Sequence, residues 1–191
     1  MKGFSFIEII ISVGIAGVVL VSLFELTSKN LTAAELLKRR FIGANLAQEG
    51  IEIVTNIRSN NWLKFPNDTN PLPDNTYRKW RGETPCTPGT DDCLANGSYI
   101  ANYNSATQLT PLAAGISPSL SIDSAGYYCH QAIPTECAGT LTPTPYSRVI
   151  NISTPLGAPG AHEMIVTSTV SWVYNNNPYS VSLEERLYNW K

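Results

Sequence analysis

Residues 3–26 read GFSFIEIIISVGIAGVVLVSLFEL, and this stretch decides what kind of chain follows. From Ile9 to Phe24 no side chain is charged, and the apolar segment through Leu26 approaches the roughly 20 residues that a membrane-spanning helix needs. Glu8 stands at its head. A carboxylate in hydrocarbon costs about 3 kcal/mol or more, so such residues are paired and functional. Glu8 therefore requires a partner.

Met1, Lys2 and Gly3 precede the stretch, followed by Phe4, Ser5, Phe6 and Ile7. If the chain is cut after Gly3, the new amino group of Phe4 lies about one helical turn from Glu8. The same group on a neighbouring copy is then a counter-charge for the carboxylate. Gly3-Phe4-Ser5-Phe6-Ile7-Glu8, followed at once by an apolar helix, resembles the processing motif of type IV prepilins and type II secretion pseudopilins. The resemblance implies that prepilin peptidase cleaves after Gly3 and methylates Phe4. It also implies that Glu8 neutralises the terminal amine of an adjacent subunit during assembly. Ser5 and Phe6 stand where the family commonly has threonine and leucine, changes that keep size class and polarity.

Two other expectations attach to an apolar N-terminal run. A secretory signal peptide would carry a small-residue cleavage site after its apolar core, and none follows Leu26. A plain single-pass anchor accounts for the length but gives no reason for Glu8 or for a long amphipathic continuation. Lys29, Lys38, Arg39 and Arg40 follow the run while Lys2 alone precedes it, so a positive-inside count would put the N-terminus outside. The cysteines oppose this orientation. Cys86, Cys93, Cys129 and Cys137 all follow the run, and an even number in a small loop-rich domain implies disulfides and an oxidising compartment. With the orientation implied by the resemblance, the leader is cytoplasmic and the C-terminal domain lies outside.

The chain has 191 residues, 13 basic and 15 acidic, for a net charge of −2. That balance argues against a protein built mainly to grip nucleic acid. No proline occurs before Pro66, and all 13 fall between there and Pro178. The chain is thus a proline-free rod followed by a proline-punctuated remainder. The expected organisation is a leader at 1–3, a hydrophobic assembly helix at 4–26, an amphipathic continuation at 27–59 and an extracytoplasmic β-rich domain at 60–191.

A single helix is expected from Phe4 to Ile57. Its first half is apolar all round, with Ser12, Gly14, Ala16 and Gly17 clustered where helices can approach closely. Its second half carries Leu37, Phe41, Ala44, Ala47, Ile51 and Val54 three or four apart on one face. That stripe is expected to pack on the chain's own globular domain. The basic cluster Lys38–Arg40 and the acidic Glu49 and Glu52 would bring opposite charges together between neighbours shifted along the rod.

Strands are expected near Tyr99 to Tyr103, Tyr127 to Ala132, Tyr146 to Ser153, Met164 to Tyr174 and Tyr179 to Tyr188, and less distinctly at Tyr77 to Arg81. Met164, Val166, Val170 and Trp172 alternate with Thr167, Thr169 and Ser171, the pattern of a half-buried strand. Asn175-Asn176-Asn177-Pro178 is expected to turn the last two strands into a hairpin. The fold class is α+β: a long N-terminal helix, membrane-inserting in its first half and amphipathic in its second, packed on a C-terminal antiparallel sheet. Leu46 to Glu52 and the ending Leu183 to Trp190 are similar to minor pilins and pseudopilins.

No catalytic chemistry is expected. Gly-x-Ser-x-Gly, His-Glu-x-x-His and a phosphate-binding glycine loop are all missing from the sequence. The two histidines are His130 and His162. His130 beside Cys129 suggests a thiol and base pair, but an extracytoplasmic cysteine near three others belongs in a disulfide. Sequence distance favours Cys86 with Cys93 and Cys129 with Cys137, among the three connectivities that four cysteines allow. Their spacing does not resemble zinc knuckles, and Asn67, Asp68, Asn70, Asp74, Asp91 and Asp92 are read as turn residues rather than calcium ligands. No metal or cofactor is expected. Trp62, Trp80, Trp172 and Trp190, without a basic stripe around them, are expected in the core or on the sheet rather than as stacking platforms for nucleic acid.

The resemblance implies a structural subunit of a type IV pilus or pilus-like filament. Its partners would be other pilin subunits, prepilin peptidase and an inner-membrane assembly platform, with the cytoplasmic membrane holding the chain before assembly and an extracellular filament after it. A type II secretion pseudopilin would share this plan. A membrane-anchored binding module, an adhesin or a DNA receptor, is the reading from a different class.

Overall fold

The computed structural model describes residues 5–64, 80–81, 93–105, 108–133, 136–155 and 163–188, with the backbone alone at Lys64. One helix, α1 (Phe6–Lys64), precedes seven strands: β1 (Gly97–Ile100), β2 (Thr110–Pro111), β3 (Ser119–Ile122), β4 (Tyr128–His130), β5 (Thr142–Ser153), β6 (Glu163–Tyr174) and β7 (Asn177–Tyr188). All pairings are antiparallel. The arrangement is the expected α+β class, a long N-terminal helix packed on a C-terminal antiparallel sheet.

The chain divides into two compact units, Met1–Phe41 and Ile42–Lys191. The boundary falls inside α1, between the expected limits at 26 and 59. In the first unit every described residue from Phe6 onward is helical, and every Ile, Leu, Val and Phe from Phe6 to Leu26 is more than half exposed. Burying such a side chain is worth about 1.5–3 kcal/mol. Left in water, the whole run would forgo tens of kcal/mol on that scale, so this surface belongs in lipid or against other chains. By length and composition the helix is able to cross a membrane.

The second unit is organised by β5. One edge of β5 pairs with β6, from Tyr146 opposite Trp172 to Ser153 opposite Ile165. Two short strands share its other edge: β1 pairs near Ile150–Ile152 and β3 near Thr142–Ser147. β2 and β4 extend those two branches, and β7 continues the sheet beyond β6. On β6, Met164, Val166, Ser168, Val170 and Trp172 are all buried while the alternate residues are not, the expected period of two. The hairpin turns on Asn175 and Asn176 alone, with φ of 49° and 60°. Asparagine tolerates this left-handed region, and two such residues make a tight turn matched to strand twist. Asn177 and Pro178, expected in the turn, instead open β7 opposite Tyr174 and Val173. Proline is tolerated there because it sits at the start of a strand, at the sheet margin.

From Ile42 onward α1 lies on this sheet. Leu46 and Ala47 join Leu120, Tyr146, Val170 and Trp172 in one core cluster; Ile51, Ile53, Val54 and Ile57 join Tyr99, Ile150, Ile152, Met164, Val166 and Leu187 in another. Two glycines set the closeness of approach. A Cβ on Gly43 would meet Trp172 Cζ3 at 2.8 Å, and one on Gly50 would meet Ser168, with Ile150 Cγ1 at 3.3 Å. Replacing Gly50 by leucine is expected to cost about 1–3 kcal/mol, because the extra methylenes must push helix and sheet apart. Chemical denaturation of the full chain in detergent checks this; an unchanged midpoint would refute the close-packing account. The helix runs seven residues past the expected Ile57 and ends at Lys64.

Trp80 and Trp172 are buried and Trp62 packs on the core, as expected of core aromatics. Trp80 and Arg81 stand in a turn and a bend, not in the strand expected to end there. The strand expected at Tyr99 to Tyr103 is shifted, ending at Ile100. The turn residues between Asn67 and Asp92, together with His162 and Trp190, lie outside the described residues.

Candidate assembly site

Glu8 occupies the first turn of α1. The helix begins there because the Ser5 carbonyl accepts hydrogen bonds from Glu8 N at 2.9 Å and Ile9 N at 3.4 Å. A carboxylate at this end also suits the positive pole of the helix. Glu8 is exposed, and no ion pair joins it to another described residue. Gly3 and Phe4, to which the resemblance assigns cleavage and methylation, lie outside the described residues.

Four hydroxyls of the first unit are satisfied within the helix. Ser12, Ser22, Thr27 and Thr32 donate to the carbonyls of Glu8, Val18, Leu23 and Ser28, four residues earlier, at 2.7, 2.9, 2.8 and 3.1 Å. Such back-bonding satisfies each donor within the helix itself. Beyond the adjacent residues and the helix's own nearby backbone, nothing lies within 4 Å of where a Cβ would stand on Gly14 or Gly17. Together with Val13, Val18, Val21 and Ser22 they line a shallow open groove, a shape that lets a second helix approach closely.

Leu37 and Phe41 differ from expectation. They are 65% and 68% exposed, so the stripe that packs on the sheet excludes both. Full burial begins with Gly43, after the half-buried Ile42. Gly43 faces Trp172, the last fully buried side chain of β6 before the hairpin turn, and Tyr174, two residues on, is partly buried against the same cluster. Glu35 and Arg39 form the expected i,i+4 ion pair, at 3.0 Å; exposed pairs of this kind contribute little.

Cys129 and Cys137 are joined, with Cα atoms 6.0 Å apart. Cys93 is also disulfide-bonded, and Cys86 lies outside the described residues. With Cys129 oxidised, the pairing of a thiol with His130 does not arise. His130 is fully buried, and its pKa is lowered to about 3, by desolvation first and by the charge of Arg148 second. Asp123 is buried as well. Its carboxylate accepts from Tyr127 N at 3.0 Å, Ala125 N at 2.9 Å and Ala138 N at 3.1 Å. These backbone donors, Tyr127 foremost, hold its pKa below the usual carboxylate value.

Both shifts carry the same sign. A folded-state pKa below the unfolded one adds stability that is present above the unfolded value and is lost as pH falls toward the folded value. For His130 the window runs from 6.5 down to about 3, at up to about 1.4 kcal/mol per pH unit. Denaturant midpoints of the full chain are expected to fall through this range, and His130→Leu should flatten the slope between about pH 6 and 4.5. An equal slope in the variant would remove His130 from the account.

The most buried charge among the described residues of the second unit is Arg148, fully inaccessible on β5. Its guanidinium donates to the carbonyls of Leu46 at 3.0 Å and Ala101 at 2.6 Å and pairs with Glu49 at 3.0 Å. It ties helix, sheet and the loop after β1 together. The sequence carried a signal for it: Arg148 falls on the inward series Tyr146, Ile150, Ile152, where a charge demands a partner.

No family model, curated protein or solved structure matches this chain. The fold and site by themselves define an α+β protein whose N-terminal helix is able to cross a membrane and whose globular unit contains a disulfide.

Proposed function

We propose that this chain is a structural subunit of a type IV pilus or pilus-like filament, matured after Gly3 and polymerised through its N-terminal helix, with no catalytic role. The observation that carries the proposal is Glu8 at the head of a wholly exposed apolar helix, without an ion-pair partner among the described residues. Cleavage after Gly3 would create a terminal amine, and a neighbouring copy would bring it to Glu8. Helix contacts would then replace lipid contacts as subunits leave the membrane, and the charge pair would set their stagger. A type II secretion pseudopilin would use the same steps. Mass spectrometry of the mature N-terminus tests this. A methylated Phe4 is expected; an intact Met1 would overturn the proposal and leave the helix as the tether of a membrane-anchored binding module.

A further inference from the structure

In the second unit, one face of α1 and the loop after β1 form a groove of about 330 Å³, at the small end of the roughly 300–1,000 Å³ typical of small-molecule sites. Glu52, Ile53 and Asn56 line it from the helix, and Tyr103, Asn104 and Ser105 from the loop. The loop is held from several sides. Asn102 Oδ1 accepts from His130 N at 2.7 Å, and Ser105 Oγ accepts from Asn102 N at 3.0 Å. Asn104 Nδ2 donates to Glu136 O at 2.9 Å and Ser105 Oγ to Glu136 Oε2 at 3.0 Å, within the segment that the Cys129–Cys137 disulfide closes. Tyr103 stacks on Tyr127, with ring centroids 4.5 Å apart and planes inclined by 24°.

The groups left free around this groove are polar and mixed, and they surround an exposed ring. Glu52 Oε1 accepts from Gln48 Nε2 at 2.8 Å, while its Oε2 bonds no described residue. The Asn56 amide, Asn104 Oδ1 and the Tyr103 hydroxyl likewise make no hydrogen bond to a described residue. Glu49, on the same wall, is matched by Arg148 at 3.0 Å, so one carboxylate charge remains. A single charge between two amides is a poor basis for holding an ion, and Ile53 alone is a poor basis for holding an apolar molecule. A neutral pyranose suits the set. Its C–H face packs on an aromatic ring, and its hydroxyls, each donor and acceptor at once, match carboxylate and amide groups.

We infer that this groove binds one neutral pyranose unit of a saccharide, stacked on the Tyr103 ring and hydrogen-bonded by Glu52, Asn56 and Asn104. Ser105 and the disulfide-closed segment hold the loop in place before the ligand arrives, so little ordering is lost on binding. The inference goes beyond the filament proposal and does not rest on it, since a single subunit carries every residue named.

Titration of the full-length chain with the methyl glycosides of glucose, galactose, mannose and N-acetylglucosamine tests it. Saturation-transfer NMR reads binding, in a polyoxyethylene detergent whose headgroup is neither sugar nor cation. At least one glycoside is expected to bind with a Kd of about 1 mM or tighter. Tyr103→Ala should weaken that binding about tenfold, and Tyr103→Phe, which keeps the ring, by no more than about threefold. Glu52→Gln should weaken it about fivefold, and because the side chain keeps its shape the loss cannot come from a misfolded chain. The inference is overturned if no glycoside binds, or if Tyr103→Ala and Glu52→Gln hold the bound one as tightly as wild type. Tighter binding of tetramethylammonium than of every glycoside would also overturn it, by marking a site for organic cations. None of these results bears on filament formation, and a chain that forms no filaments would leave the inference standing.

Discussion

Glu8→Gln is expected to reduce filament assembly at least a hundredfold while leaving membrane insertion and N-terminal processing intact. Insertion should become easier, since removing a carboxylate from an apolar helix lowers the cost of entering hydrocarbon. Assembly should suffer because the neighbour's terminal amine would then be buried without a counter-charge. Breaking a buried pair by removing one partner costs about 3–5 kcal/mol, and every 1.4 kcal/mol is about a factor of ten in an association constant. The measurement is the ratio of sheared filament to total chain by immunoblot, with the methylated N-terminus checked by mass spectrometry. Filaments at wild-type levels, from a chain that is correctly processed, would show that Glu8 is no part of the subunit contact.

The second large effect is expected from Arg148→Ala. This side chain is inaccessible to water and bonds two backbone carbonyls and one carboxylate, on α1 and on the loop after β1. Truncation removes all three interactions at once and leaves a cavity at the junction of helix and sheet. A loss of about 2–5 kcal/mol is expected from the two backbone carbonyls left without a donor and from the cavity, which for a unit of this size lowers the melting temperature by roughly 10 °C. Thermal unfolding of the full chain in detergent reads the change. A melting temperature within about 2 °C of wild type would mean that Arg148 is tolerated rather than required.

The legible parts of the fold were those with long, regular patterns. α1 showed itself through an apolar run and an amphipathic continuation without proline. β6 and β7 showed themselves through alternation, and β5 was expected from Tyr146 to Ser153; each strand extends to 12 residues. β2 and β3 were not found. Thr110–Pro111 and Ser119–Ile122 are too short and too polar to carry a period, and they are strands because β1 and the outer edge of β5 offer them backbone partners. The same contrast holds at the site. Glu8 stood out because a charge beside an apolar run is costly wherever the chain goes. Gly43 and Gly50 carry no such signal, because each is an ordinary residue until something is placed against it, whereas the signal of Arg148 lies in its place on the inward series Tyr146, Ile150, Ile152. Leu37 and Phe41 share the helical spacing of the buried stripe, yet both are exposed.

The sequence by itself determined the chemistry of each segment. A charge-free helix headed by Glu8, an alternating hairpin at the C-terminus and cysteines confined to the later part all follow from local free energies of transfer and from backbone periodicity, which neighbours in the chain suffice to set. Only the tertiary structure decided where the packed part of α1 starts, that Gly43 and Gly50 bring it close to Trp172 and Ser168, and that Arg148 consumes the charge of Glu49 and leaves Glu52 available. Those outcomes depend on which side chains from distant positions meet across a core, and contact at that range is a property of the assembled layers rather than of any stretch of sequence.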